Sequence, residues 1–333
     1  MTILVTGAAG FIGMHVARAL ARRGQAVLGI DNLNDYYDVA LKQARLAELS
    51  ELADFRFAKI DLGDVGAMAG LDKEGLTGIV HLAAQAGVRY SLKNPRAYID
   101  ANIIGQLNVL ELSRRLGGDL SHLVYASSSS VYGGNEKLPF AVEDRVDHPI
   151  SIYAATKKAD ELMGHAFSHI YRLPMTGLRF FTVYGPWGRP DMAAYIFAAK
   201  IMAGEPIEVF NDGNMRRDFT FIDDIVAGVV AAFDRPPGPP GGDKAVADAG
   251  PAPHRIYNLG NNRPTDLMDF ISLLEEKLGA KAQIAFKPLQ PGDVPETFAD
   301  IAGARTDLGF APKTGIEEGL DRFVAWFKSY HGH

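Results

Sequence analysis

The apolar run Ile3-Leu4-Val5 passes directly into Thr6-Gly7-Ala8-Ala9-Gly10-Phe11-Ile12-Gly13. A short strand that feeds a glycine-rich turn and then a helix constrains the fold more than any other stretch of this chain. It is the local recipe for holding a dinucleotide pyrophosphate. Glycines let backbone N–H groups approach the phosphates, and the helix N-terminus adds unpaired donors and a partial positive charge. The spacing is G-x-x-G-x-x-G instead of the commoner G-x-G-x-x-G. A glycine triplet also suits an ordinary turn, so its meaning depends on the rest of the chain.

Downstream, strands and helices alternate regularly. Residues 3–5, 26–30, 55–60, 79–83, 120–127 and 175–180 read as strands, several of them continuously apolar as in a sheet buried on both faces. Helical periodicity covers 12–23, 37–49, 95–116 and 151–171. Pro95 opens the third of these helices and Gly117-Gly118 closes it, while Ser151 is an N-cap candidate for the fourth. This pattern predicts an α/β chain with a Rossmann-type, doubly wound parallel sheet. After Gly185 the rhythm changes. Helices at 192–203, 223–234, 265–278 and 316–330 accompany short strands near 207–210, 218–222, 256–259 and 282–286. We expect residues 1–184 to form the dinucleotide-binding domain, with parts of 211–260 returning to it. Residues 185–333 are expected to form a smaller C-terminal α/β substrate lobe over the sheet's carboxyl edge. Residues 236–253, rich in Pro, Gly, Ala and Asp, read as a flexible surface insertion.

Composition narrows the function. The 333 residues are 47% hydrophobic, enough for a substantial core, and the net charge is −6. Such a balance argues against a nucleic-acid or anionic-membrane surface. The absence of cysteine excludes disulfides, thiolate metal sites and Cys nucleophiles. No apolar run is long enough to span a bilayer, and the first residues lack a basic n-region, so a cytoplasmic protein without a signal peptide is expected. The nine His read as scattered, with none at H-x-x-x-H or another metal-ligand spacing, and His81 as a core residue, so no metal is expected.

Several residues carry candidate chemistry. Asp31 ends the second strand 18 residues after Gly13, where a carboxylate accepts hydrogen bonds from an adenosine ribose and repels a 2′-phosphate, favouring NAD over NADP. Asp61-Leu62 follows the third strand, beside the expected adenine. Leu82-Ala83-Ala84 ends the fourth with small residues that let a cofactor lie close to backbone. Tyr153 and Lys157 share one helix face at i, i+4. An ammonium beneath a phenol, with a positive nicotinamide nearby, moves the phenol's pKa from about 10 toward neutrality, which suits a general base. Ser128 leaves the preceding strand 25 residues before Tyr153 and can share the reacting proton.

Taken together, Gly7-x-x-Gly10-x-x-Gly13, Asp31-Asn32, His81-Leu82-Ala83-Ala84, Ser127-Ser128-Ser129, Tyr153-x-x-x-Lys157 and Arg217-Asp218-Phe219-Thr220-Phe221-Ile222-Asp223-Asp224 resemble the extended short-chain dehydrogenase/reductase superfamily of nucleotide-sugar epimerases and dehydratases. The resemblance runs from residue 1 to about 330. Asp31-Asn32-Leu33-Asn34-Asp35-Tyr36-Tyr37-Asp38, Gly185-Pro186-Trp187-Gly188-Arg189-Pro190-Asp191-Met192 and Gln290-Pro291-Gly292-Asp293-Val294 resemble the UDP-glucuronate 4-epimerases within it.

The resemblance implies NAD bound by Gly7, Gly10, Phe11, Ile12, Gly13, Asp31, Asn32, Asp61, Leu62, Leu82, Ala83, Ala84, Asn102, Tyr153 and Lys157. It implies catalysis by Tyr153, Lys157 and Ser128 through a transient 4-keto sugar. A UDP-sugar would be met in the C-terminal lobe by Val209, Arg217, Gln290 and Asp293, with Arg217 the best phosphate ligand and Arg89 a weaker one. UDP-galactose epimerases commonly carry an Arg three residues before the aspartate of the Gly-Asp pair, where this chain has Gln290. The dehydratases of the superfamily place an Asp-Glu pair directly after the catalytic Ser or Thr, where this chain has Ser129 and Ser130. Hydroxyls donate to a carboxylate but do not form an acid/base pair near neutral pH, so elimination is disfavoured and an anionic sugar is allowed. Ser129, Ser130, Thr182 and Arg189 are the expected uronate ligands. A homodimer through the 95–116 and 151–171 helices is also implied. The alternatives are a 4-epimerase of UDP-glucose or UDP-N-acetylglucosamine and, from another class, a non-catalytic nucleotide-binding protein.

Overall fold

In the computed structural model, residues 2–238, 252–290 and 292–332 are described. Most of the 236–253 segment therefore lies outside the described residues. Six strands come first: β1 (Thr2–Thr6), β2 (Ala26–Asp31), β3 (Phe55–Lys59), β4 (Leu76–His81), β5 (His122–Ser128) and β6 (Met175–Phe180). Between them lie helices α1 (Phe11–Arg22), α2 (Val39–Ser50), α3 (Val65–Gly70), α4 (Val88–Lys93), α5 (Pro95–Tyr98), α6 (Gly105–Leu116) and α7 (Ile152–Tyr171). The chain continues through β7 (Thr182–Tyr184), α8 (Ala193–Ala203), β8 (Pro206–Phe210), β9 (Arg216–Arg217), β10 (Phe219–Phe221) and α9 (Ile222–Phe233). It ends with β11 (His254–Leu259), β12 (Thr265–Asp266), α10 (Leu267–Leu278), β13 (Gln283–Lys287), β14 (Glu296–Thr297), α11 (Ala302–Leu308) and α12 (Ile316–His331).

The main sheet has seven strands in the order β11-β6-β5-β4-β1-β2-β3, all parallel. Sequence order reverses between β1 and β4, so the crevice at their carboxyl ends is the natural ligand site of a doubly wound sheet. Period-2 alternation divides the core. Ile3, Val5, Val80 and Val124 face α1 and α9, while Leu4, Ile79, Leu123 and Tyr125 face Val109, Leu110 and Leu112 of α6. Both faces are dry, which is why these strands read as unbroken apolar runs.

Two differences from the sequence-based expectation matter for the site. The helix expected over 95–116 is interrupted. Its middle, Ile99–Ile104, is a π-helical turn, a widening frequently found at functional sites. That turn aims Asn102 into the protein. Residues 185–333 form no single sheet: β8 pairs with β13, β9 lies between β12 and β14, and β7 pairs with β10. β11, by contrast, extends the main sheet beside β6.

Candidate active site

The glycine loop is built by steric exclusion. Gly7 has φ +72°, and a Cβ there would come within 2.8 Å of Ala83 N. A Cβ on Gly13 would lie 2.0 Å from the Gly7 carbonyl oxygen. Neither position admits a side chain, so the loop packs against the start of α1 and the end of β4 as bare backbone. Thr6 completes the corner. Its Oγ1 accepts from Leu82 N at 3.1 Å and Ala83 N at 3.0 Å, and bonds His81 Nδ1 at 2.7 Å. Burial, with the Lys157 charge adding to it, pushes His81 down to about 3, so the ring is neutral and structural, as expected.

A cavity of about 630 Å³ opens at this edge. Gly7, Gly10, Phe11, Ile12 and Gly13 line it, with Asp31, Asn32, Asp61 and Leu62 beside them and Leu82, Ala83 and Ala84 along its floor. Asp31 Oδ1 accepts from Leu33 N at 2.8 Å, and Asn32 Nδ2 donates to Asp61 Oδ2 at 2.8 Å. Further along, Ser128, Ser129, Ser130, Tyr153, Lys157, Thr182 and Arg189 line the same cavity, followed by Arg217 and Asp293.

Three candidates stand elsewhere. Asn102 is buried behind the wall. Its amide bonds both backbone groups of Gln85, at 2.8 and 3.1 Å, and donates to Thr156 Oγ1 at 3.0 Å. With its polar atoms so engaged, it positions the Gln85 segment of the cavity and does not line it. Val209 is fully buried in the core, while Glu208 and Phe210 line the cavity. The expectation was one residue out of register in β8, and a one-residue slip turns every side chain to the other face. Gln290 is not a lining residue either. Its carbonyl accepts from Asp293 N at 3.1 Å, making a turn that presents Asp293.

Ser128 caps the turn over Ser129–Tyr132. Its Oγ accepts from Ser130 N and its hydroxyl donates to Ser130 Oγ, both at 3.1 Å. The strand that presents it is held from behind by Glu161. That carboxylate takes Ser127 Oγ at 2.7 Å and Arg179 through Nε at 2.7 Å and Nη2 at 2.9 Å. Burial alone would raise Glu161, but Arg179 outweighs it and holds the carboxyl below its usual range. Sequence reasoning passed over Glu161 and Asp160, although both lie a helical turn from Lys157. Lys157 Nζ donates to Asp160 Oδ2 at 2.7 Å, with the two side chains 3% and 1% exposed. The other Asp160 oxygen is buried without a partner among the described residues. Burial pushes the Asp160 carboxyl up to about 6, against the pull of Lys157.

The charged candidates are more occupied than their identities suggest. Arg189 donates through Nε to Asp191 Oδ1 at 3.0 Å and through Nη2 to Oδ2. Arg217 Nη1 donates to the carbonyls of Arg216 and Pro295, each at 2.9 Å, and burial lowers its pKa. Arg89 bonds Asp293 Oδ2 at 3.2 Å and stacks over Phe210. Asp218, in the same Arg-Asp-Phe motif as Arg217, is a structural clamp. Its two oxygens take the backbone amides of Asn261, Asn262 and Ala299. His165 and His169 lie four residues apart on α7, a metal-ligand spacing that the reading of scattered histidines passed over. Among the described residues, no group of three or more His, Asp or Glu is gathered to hold a metal. No described helix is long and apolar enough to cross a membrane.

The family model described as "NAD dependent epimerase/dehydratase family" matches residues 3–259. The chain belongs to that family. Over 99% of its length it is 49% identical to Protein CapI of Staphylococcus aureus, of which it covers 99%. It is also 49% identical, over 99% of its length, to UDP-glucuronate 4-epimerase 4 of Arabidopsis thaliana, of which it covers 76%. The structure superposes with a TM-score of 0.88 on UDP-glucuronic acid 4-epimerase from Bacillus cereus in complex with UDP-glucuronic acid and NAD. That pair is 33% identical, with 99% of this chain and 100% of the other covered.

The residues of this epimerase/dehydratase chain fit NAD. The N-cap of α1 is Gly10, which offers no side-chain acceptor to the first-turn amides, and Phe11 and Ile12 at that turn face the cavity. An anion there meets donors and a helix dipole, with no protein carboxylate in competition. The Asp31 carboxylate at the end of β2 is the acceptor that a free ribose diol requires.

Proposed function

We propose that the chain interconverts UDP-glucuronate and UDP-galacturonate by NAD-dependent 4-epimerisation. The observation that carries this reading is the meeting of Tyr153, Lys157 and Ser128 in one cavity with Ser129 and Ser130, where a dehydratase would hold two acids. NAD⁺, when bound, supplies a reversible hydride acceptor.

The chain's own residues do the rest. The phenolate oxygen of Tyr153 takes the proton of the sugar 4-hydroxyl and becomes the phenol, with the Ser128 hydroxyl sharing that proton. Lys157 stands one helical turn along the same face. Its ammonium donates to Asp160 Oδ2, which fixes its position, and the cation supports the phenolate electrostatically. Arg217, with Arg89 nearby, holds the diphosphate while the 4-keto sugar turns over, and the proton then returns from Tyr153 to the other epimer. Ser129, Ser130, Thr182 and Arg189 receive the sugar carboxylate. A 4-keto uronate is a β-keto acid, which loses CO₂ when the breaking bond aligns with the ketone. Hydroxyl donors that hold the carboxylate out of that alignment protect the intermediate.

Two copies are inferred to pair through α6 and α7. The support is apolar surface that the described residues leave exposed: Leu107 is 37% exposed, Leu162 59% and Ile170 64%.

Incubation with UDP-glucuronate and, in parallel, with UDP-glucose tests the activity, with products resolved by anion exchange and NMR. UDP-galacturonate from the first is expected. UDP-galactose from the second alone would assign the site to neutral sugars, and turnover of neither would overturn the reading.

A further inference from the structure

Asp191 joins two parts of the cavity wall. Its carboxylate takes the Nε and Nη2 edge of Arg189, and its Oδ2 accepts from Tyr36 OH at 3.0 Å. Tyr36 belongs to the loop between β2 and α2, beside the expected cofactor ribose, whereas Arg189 belongs to the segment that follows β7. The pair is half-buried, with side chains 22% and 26% exposed. Burial alone would raise Asp191, but Arg189 and the Tyr36 bond outweigh it, so the group stays an anion. A guanidinium has two edges that can grip a carboxylate bidentately. Asp191 fills one, the Nε–Nη2 edge.

We propose that Asp191 sets how firmly the site holds a sugar carboxylate: by filling the Nε–Nη2 edge of Arg189, it weakens the grip enough for the sugar to turn between the two proton transfers at Tyr153. The inference rests on the proposed role of Arg189 in meeting the uronate. A sugar anchored by an uncompensated guanidinium would be held by a strong, directional ion pair and would turn slowly. A neutralised arginine still donates a hydrogen bond but adds little net charge. Asp191 is thus a positioning residue that lowers affinity in favour of turnover, and only carboxylate-bearing sugars feel the effect.

Three variants, each prepared as the NAD-loaded enzyme, test this by calorimetric Kd for UDP-glucuronate and UDP-glucose and by the separate KM and kcat for epimerisation. Asp191→Asn is expected to tighten UDP-glucuronate about tenfold, the order of one charge-assisted hydrogen bond. Its kcat should fall by a similar factor, while the Kd for UDP-glucose stays the same. Tyr36→Phe loosens the loop but leaves the arginine edge filled, so its ratio of the two Kd values should match the native one. Arg189→Ala should weaken UDP-glucuronate selectively. If Arg189→Ala weakens it but Asp191→Asn, with native melting and NAD content, does not tighten it, the proposal is wrong and the function stands. If Tyr36→Phe reproduces the Asp191→Asn ratio, the effect comes from loop position and the proposal is equally wrong. If Arg189→Ala leaves UDP-glucuronate binding unchanged, the role given to Arg189 fails and takes the proposal with it.

Discussion

Asp160 shows how much a single buried residue adds to a motif that looks complete without it. Tyr153-x-x-x-Lys157 gives a base and a cation, yet the ammonium donates to a carboxylate three residues further along, at 2.7 Å. Burial lifts that carboxyl from 3.8 to about 6, so the fold prefers the protonated form. Its contribution to stability is complete below about pH 3.8 and is lost as the pH rises through about 6. Asp160→Asn keeps an acceptor for Lys157 but cannot ionise. We expect its stability relative to the native chain to increase from pH 4 to pH 7 in urea titrations, and a constant difference across that range would refute the account. Glu161, the next residue, behaves oppositely. Arg179 and Ser127 saturate it, and it stays ionised while fixing the strand that presents Ser128.

At the level of elements, the glycine loop and the π-helical turn are the two devices that shape the cavity. The loop is shaped by what cannot fit. Gly13→Ala places a methyl 2.0 Å from a backbone oxygen that cannot rotate away. We expect a loss of about 1–3 kcal/mol from overpacking, together with loss of co-purified NAD. Denaturation of the cofactor-free protein and absorbance of released cofactor measure these separately, and full NAD occupancy in the variant would contradict the packing argument. The π-helical turn works by satisfying what would otherwise be stranded. It lets Asn102 pair with both backbone groups of Gln85, in a non-helical segment that lines the cavity. Leaving either group buried and unpaired costs about 1–3 kcal/mol, so the widened turn is the lower-energy arrangement.

For the whole molecule, the doubly wound sheet puts its topological switch between β1 and β4, and the irregular segments after β6 bring Thr182, Arg189, Arg217 and Asp293 over that crevice. The exposed apolar stripe on α6 and α7 is the other molecular feature, and it predicts a dimer. Light scattering should give twice the chain mass for the native protein and the chain mass for Leu162→Asp, and a native monomer would refute the pairing. The sequence by itself determined the sheet, the glycine loop, the Ser151 cap and the Tyr153–Lys157 face, because strand alternation, helical period and turn chemistry act over a few neighbouring residues. It also placed Asp31, Leu82 and Ser128 at the cavity, since each lies at or directly after the end of a strand of the main sheet. Only the tertiary structure decided how the charges are paired. That Asp191 holds Arg189 and Tyr36, that Asp293 holds Arg89, that Asn102 faces inward and that Val209 points away from the cavity depend on register and on contacts as distant as the 204 positions that separate Arg89 from Asp293. Ion pairs of that range leave no periodicity in a sequence, because the partner is chosen by where the backbone comes to rest.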